Sequence, residues 1–222
     1  MWLLSMLKKY NAGELYRLGL KIPIEQIAGT ANNTLSEAVV AFGSGCTGSV
    51  ISNQGLIITN YHCSYAALQQ HTSMNRNLSD RGYWAANFKE ELPVSGLKIT
   101  LTKKIIDISD EVQVLMKSEQ KRKRSRSTEA LAIVSSKYQQ QFPGCRIVTR
   151  SYRNNTISVL YVQRDYEDIR LVGVAPKNIA KFGGETDNWK WPRHSADFAF
   201  FRIYAAAGGT PAKYSPSNIP LK

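Results

Sequence analysis

No stretch of the 222 residues approaches the roughly 20 consecutive apolar positions that a membrane-spanning helix requires, so the sequence predicts no membrane span. The apolar opening Met1–Leu7 is shorter still. It lacks a preceding basic region and runs into Lys8-Lys9 instead of a small-residue cleavage site, so it reads as the start of an amphipathic helix. The signal peptide of an exported protein would have been removed or lie outside these residues. Cysteine is scarce: Cys46, Cys63 and Cys145 form no C-x-x-C pair, which argues against zinc and leaves room for one disulfide whose partners their number does not fix. There is no internal repeat and no low-complexity tract.

Acidic residues are outnumbered, 17 against 29 Lys and Arg, for a net charge of +12. Much of the excess is local, because Lys121-Arg122-Lys123-Arg124-Ser125-Arg126 packs five cations into six positions. This run lies in a stretch from about Asp110 to Gln141 that lacks Gly and Pro and reads as helix. No nucleic-acid motif and no interleaved aromatics accompany it, so it reads as a solvated helix face, with no nucleic-acid partner.

What is present is mostly strand. Residues 1–35 read as a helical lead-in punctuated by Gly13, Gly19 and Pro23, and residues 36–222 as one mainly β domain with helical segments. Ala38–Phe42 and Thr47–Ile51 are strand-like, Ser52-Asn53-Gln54-Gly55 is a turn, and Leu56–Thr59 is a further strand. Further strands are expected at Leu97–Ile106, Cys145–Tyr152, Thr156–Arg164, Ile169–Ala175 and Asp197–Tyr204. The Gly- and Pro-containing loop after them suggests an incomplete domain.

The first hairpin ends in Thr59-Asn60-Tyr61-His62-Cys63, with Cys46 seventeen positions before Cys63. This arrangement resembles chymotrypsin-like peptidases, in which such a hairpin delivers the general-base histidine. A disulfide from the next residue to the first strand fixes it there. The resemblance makes His62 the base and pairs Cys46 with Cys63. Taken alone, the same residues also read as a half-buried structural histidine and two small buried cysteines.

A base histidine needs a carboxylate at Nδ1 to hold its tautomer and stabilise the imidazolium. Asp197 opens an apolar strand, where a carboxylate is an odd choice, and ranks ahead of Asp187 and Glu185; the plainer reading is a turn cap. No Gly-x-Ser-Gly segment follows Asp197, and Gly43-Ser44-Gly45 precedes the histidine, so the chain is expected to end before its nucleophilic serine.

Several motifs extend the resemblance: Phe42–Gly48, Gly55–Cys63, Gly82-Tyr83-Trp84-Ala85, Glu90–Leu97 and the long Phe182-Gly183-Gly184-Glu185-Thr186-Asp187-Asn188-Trp189-Lys190-Trp191-Pro192-Arg193-His194-Ser195-Ala196-Asp197-Phe198. From Trp2 to about Tyr204 the chain resembles the bacterial dipeptidyl-peptidases that release dipeptides from peptide N-termini. That resemblance implies the N-terminal portion of a chymotrypsin-like double β-barrel, interrupted in the family by a helical domain, with the serine in the second barrel. It implies that Asn188 and Trp189 hold the substrate's free α-amino group, with plain core packing as the alternative for Trp189 and Trp191.

The resemblance further implies no cofactor, peptide substrates, a homodimer, and a periplasmic or cell-surface location in a Gram-negative bacterium. Tyr61 stands where the family usually has a second histidine, Ser64 where it has glycine and Glu185 where it has aspartate; none is a catalytic group. The alternative function is a non-catalytic, peptide-binding member of the same fold.

Overall fold

The computed structural model describes residues 7, 12–28, 34–73, 77–118, 123–181 and 194–222. Its strands are β1 Val39–Phe42, β2 Cys46–Val50, β3 Leu56–Thr59, β4 Tyr83–Trp84, β5 Leu92–Pro93, β6 Ile99–Asp107, β7 Arg146–Tyr152, β8 Ile157–Tyr166, β9 Asp168–Val174, β10 Ala199–Ala205 and β11 Ile219–Pro220. Its helices are α1 Ala12–Arg17, α2 Ile24–Ile27, α3 Leu35–Ala38, α4 Tyr65–His71, α5 Leu78–Arg81, α6 Ser109–Ser118, α7 Lys123–Gln141 and α8 Lys177–Ala180. The fold is mainly antiparallel β with helices, as the sequence implies. The chain divides into two compact units, one of residues 1–38 and 101–164, the other of residues 39–100 and 165–222. The expected lead-in therefore falls inside the first unit.

In the first unit the Gly- and Pro-free stretch is two helices, not one. A single straight helix would separate Glu111 from Lys137 by about 39 Å at 1.5 Å per residue. Instead Lys137 Nζ donates to Glu111 Oε2 at 2.8 Å and Tyr138 Oη to Oε1 at 2.8 Å. Apolar burial is the physical reason: Val112 of α6 and Ala130 and Val134 of α7 close over Ile108 and over Leu160 and Val162 of β8. One long rod would leave half of that stripe in water. Of the basic run, Lys121 and Arg122 lie outside the described residues, and 123–126 open α7.

Strands β7 and β8 form a hairpin from Arg146↔Gln163 to Tyr152↔Ile157. It turns through Arg153, Asn154 and Asn155 with φ of 47°, 54° and 66°, the left-handed region that asparagine tolerates better than most residues.

The second unit is a sheet ordered β4-β9-β10-β3-β2-β1, with β5 also pairing β9 and β11 pairing β10. Its neighbours along that path are all antiparallel. Inward positions alternate as a half-buried sheet demands: Val40 and Phe42 on β1, Ile57 on β3, and Phe201 and Ile203 on β10 are buried. Phe42 meets Phe201 edge to face with ring centroids 4.8 Å apart. At the β2–β3 turn, Gly55 has φ +65° and an added Cβ would lie 2.9 Å from the Ile203 carbonyl oxygen, so only glycine fits.

Two buried ion pairs complete the unit. Arg170 donates to Asp168 through Nε at 3.0 Å and a terminal nitrogen at 2.9 Å, and Asn218 donates to Asp168 at 2.9 Å. Arg202 Nε donates to Glu91 at 2.9 Å while the Tyr204 hydroxyl donates to the same carboxylate at 2.8 Å. No helix among the described residues is long and apolar enough to cross a membrane.

Candidate active site

The site grows from the β2–β3 hairpin, whose register runs Gly48↔Thr59, Ser49↔Ile58 and Val50↔Ile57. An added Cβ at Gly48 would come within 2.9 Å of Ile57 Cγ2 and 3.0 Å of the Ile58 carbonyl oxygen, so glycine lets the strands close. Thr59 Oγ1 donates to the Thr47 carbonyl at 2.6 Å. After Asn60 the chain takes one 3-10 turn, Tyr61–Ser64, and enters α4. Tyr61 is fully buried, edge-on to the Tyr65 ring, and burial pushes its phenol above the ordinary range. The Ser64 hydroxyl donates to the Tyr61 carbonyl at 2.6 Å, closing the turn. With Tyr61 anchored inward, the next side chain, His62, is presented outward and is exposed.

Behind it, Cys63 is joined to Cys46 of β2 by a disulfide, the pairing the resemblance implied. The expected strand beginning at Asp197 starts two residues later, at Ala199, and pairs β3 with Ala199 opposite Thr59. Continuing that antiparallel register by two positions sets Asp197 beside Tyr61. The Tyr61 N–H donates to Asp197 Oδ1 at 3.0 Å, and the Asn60 side-chain amide donates to Oδ2 at 3.3 Å and to the Asp197 carbonyl at 3.4 Å. A carboxylate held by a backbone N–H and an amide has its orientation fixed. Among the described residues the imidazole of His62 makes no hydrogen bond. The structure thus puts Asp197 against the residue preceding His62, without a bond between ring and carboxylate.

A cleft of about 710 Å³ opens over this hairpin, lined by Ser44, Cys46, His62, Cys63, Gln70 and Leu97 among others. Gln70 of α4 fixes the far wall: its amide donates to the Ser95 carbonyl and its oxygen accepts from the Ser95 N–H, both at 2.9 Å. One ring nitrogen of His71 lies 2.8 Å from the Pro93 carbonyl. Nothing in the sequence assigns a role to Asn60, Gln70 or His71. Asn60, an amide at a strand end beside the histidine, was the one with a local signal. Asn188, Trp189, Trp191, Asp187 and Glu185 lie outside the described residues.

An exposed imidazole on a disulfide-braced turn, beside a carboxylate fixed by the adjacent backbone, is an arrangement suited to accepting and returning a proton. The sequence matches the Peptidase S46 family over residues 1–222. The protein named Dipeptidyl-peptidase 7 from Phocaeicola vulgatus is 40% identical over 230 residues, covering 100% of this chain and 32% of that protein. An Asp/Glu-specific dipeptidyl-peptidase of Porphyromonas gingivalis is 35% identical over 235 residues, covering 100% of this chain and 32% of its own. The crystal structure of Porphyromonas endodontalis DPP11 in complex with the dipeptide Arg-Glu aligns with a TM-score of 0.84 at 35% identity, over 100% of this chain and 33% of that one. The chain therefore spans about a third of the length of the curated relatives it matches. Because the family match runs from the first residue to the last, the chain belongs to the peptidase S46 family.

Proposed function

We propose that this chain supplies the general base and its orienting carboxylate to a serine-type dipeptidyl aminopeptidase that releases dipeptides from the free N-terminus of oligopeptides. The observation that carries the reading is the fixation of Asp197 on the Tyr61 N–H, one residue from His62, in a family whose relatives are named dipeptidyl-peptidases. His62 takes the proton of a serine hydroxyl contributed from outside residues 1–222 and returns it to the leaving amine. Water then hydrolyses the acyl-enzyme with His62 again as base. Asp197 holds the imidazole tautomer and stabilises the imidazolium.

Asn188 and Trp189 take the substrate's α-ammonium, an amide oxygen accepting from it and an indole face lying against it. An amine site two residues from the scissile bond makes the product a dipeptide. The same reading puts the protein, as a homodimer, in the periplasm or at the surface of a Gram-negative cell, where a disulfide persists.

The test is dipeptide release from an unblocked fluorogenic peptide by the longer protein that carries this chain. His62→Ala and N-acetylation of the substrate should each abolish release. Turnover that survives His62→Ala would remove the base from the mechanism, and peptide binding without turnover in any form would favour the non-catalytic alternative.

A further inference from the structure

An asparagine at the mouth of a helical turn ordinarily has one of two local jobs: its side-chain oxygen caps the free N–H groups of the turn, or its backbone takes the left-handed conformation. Asn60 does neither. It stands at the N-cap of the 3-10 turn Tyr61–Ser64 with φ -74° and ψ 153°, which is extended, and its side chain makes no capping bond. The turn is closed by backbone instead, the Cys63 N–H donating to the Asn60 carbonyl at 3.1 Å. The amide is turned across the sheet to a residue 137 positions away: Nδ2 donates to Asp197 Oδ2 at 3.3 Å and to the Asp197 carbonyl at 3.4 Å. We propose that Asn60 is a positioning residue for the Asp197 carboxylate, clasping it by one of its oxygens and by its main chain so that it keeps one rotamer beside His62. This rests on the proposed base and carboxylate pair and adds a residue to it.

The need for a clasp follows from where the sheet ends. The β3–β10 ladder stops at Thr59↔Ala199, so Asp197 lies two residues beyond its support. The Tyr61 N–H reaches Oδ1 at 3.0 Å, and a single bond to one oxygen leaves the carboxylate able to turn about that bond. Asn60 ties the other oxygen to the main chain, so neither can move without breaking a contact. Both atoms that Nδ2 faces are acceptors, so only the NH2 end of the amide fits there, and its two hydrogens serve one each. A carboxylate oxygen accepts two bonds, which leaves a lone pair of Oδ2 for an imidazole N–H. Asn60 is itself exposed and adds little to the core, so its replacement tests the contact and not the packing.

The experiment measures kcat and KM separately for the longer protein that carries this chain, on an unblocked fluorogenic peptide, with the fold of each variant checked by circular dichroism and urea midpoint. Asn60→Ala should lower kcat by roughly 10- to 100-fold and leave KM within about twofold, the pattern of a lost bond to a charged group that acts in the transition state. Asn60→Asp, which sets a second carboxylate against the first, should be slower still. Asn60→Ser, whose hydroxyl serves only one of the two acceptors, should fall between Asn60→Ala and the parent. In an Asp197→Ala background there is no carboxylate to hold, and Asn60→Ala should cost no more than about twofold. The inference is overturned if folded Asn60→Ala and Asn60→Asp turn over at the parent rate, if only KM changes, or if Asn60→Ala costs as much in the Asp197→Ala background as in the parent. Asp197→Ala at the parent rate would remove the proposed pair itself. A slow Asp197→Ala beside a parent-rate Asn60→Ala would overturn the role of Asn60 alone.

Discussion

The two units solve the problem of order by different means. The unit of residues 39–100 and 165–222 is fixed by directional bonds: a disulfide, two buried Arg–carboxylate pairs, and a carboxylate pinned to a backbone N–H. The unit of residues 1–38 and 101–164 relies on apolar closure of α6 and α7 over β8. Its Glu111–Lys137 pair is substantially exposed and its cysteine, Cys145, is free. Directional bonds hold a group to a geometry, whereas apolar packing holds it to a volume. The unit with the first kind is the one that carries His62 and Asp197.

The comparison breaks hardest at the buried pairs. Glu91 is 3% and Arg202 10% exposed, so Glu91→Ala leaves a buried guanidinium and the Tyr204 hydroxyl without their carboxylate. The loss should be about 3–5 kcal/mol, read as a shift of the urea midpoint. In the other unit the equivalent injury is a cavity. Leu160 is fully buried, and Leu160→Ala should cost about 2–5 kcal/mol with no change in any ionic contact.

A smaller effect appears in alkali. Burial first, and then the hydrogen bond with Tyr152, pushes the Tyr161 phenol up to about 12. Burial and the hydrogen bond to Glu91 raise Tyr204 in the second unit as well. A phenol that ionises near pH 10 when unfolded and later when folded gives stability that is complete below about pH 10 and is lost as pH rises through the folded value. Tyr161→Phe should therefore flatten the fall in urea midpoint between about pH 10 and 12. An unchanged slope would show that the phenol is not held neutral by its surroundings.

The smallest effect belongs to Glu111. Its hydrogen bond from Lys137 holds the carboxyl below the usual range, so its contribution is present above the unfolded value and lost as pH falls through the folded one. Glu111→Gln should leave the neutral urea midpoint almost unchanged and slightly reduce its acid dependence, because the pair is exposed and screened.

Much of the second unit was legible because its signals are local. Ser52-Asn53-Gln54-Gly55 announces its turn, and Leu56–Thr59 follows as a strand. The family resemblance supplied the pairing of Cys46 with Cys63. Asp197 could be nominated from sequence, but not its contact with Tyr61, which arises from β3–β10 pairing across 136 positions. The break between α6 and α7 was hidden for a related reason. Helix-forming residues run through it, and only packing over Leu160 and Val162 makes two helices better than one. The Arg153–Asn155 turn carries just two asparagines as its mark, and the Asp168–Arg170–Asn218 cluster joins residues 50 positions apart.

In the proposed mechanism Asp197, held by the backbone beside His62, orients the base. Its most direct test is kcat/KM of the longer protein and its Asp197→Asn variant on an unblocked peptide, with the fold checked by circular dichroism. A folded variant slower by about 10⁴-fold is expected, since an amide cannot hold the required tautomer. A folded Asp197→Asn protein that cleaves at the parent rate would contradict it.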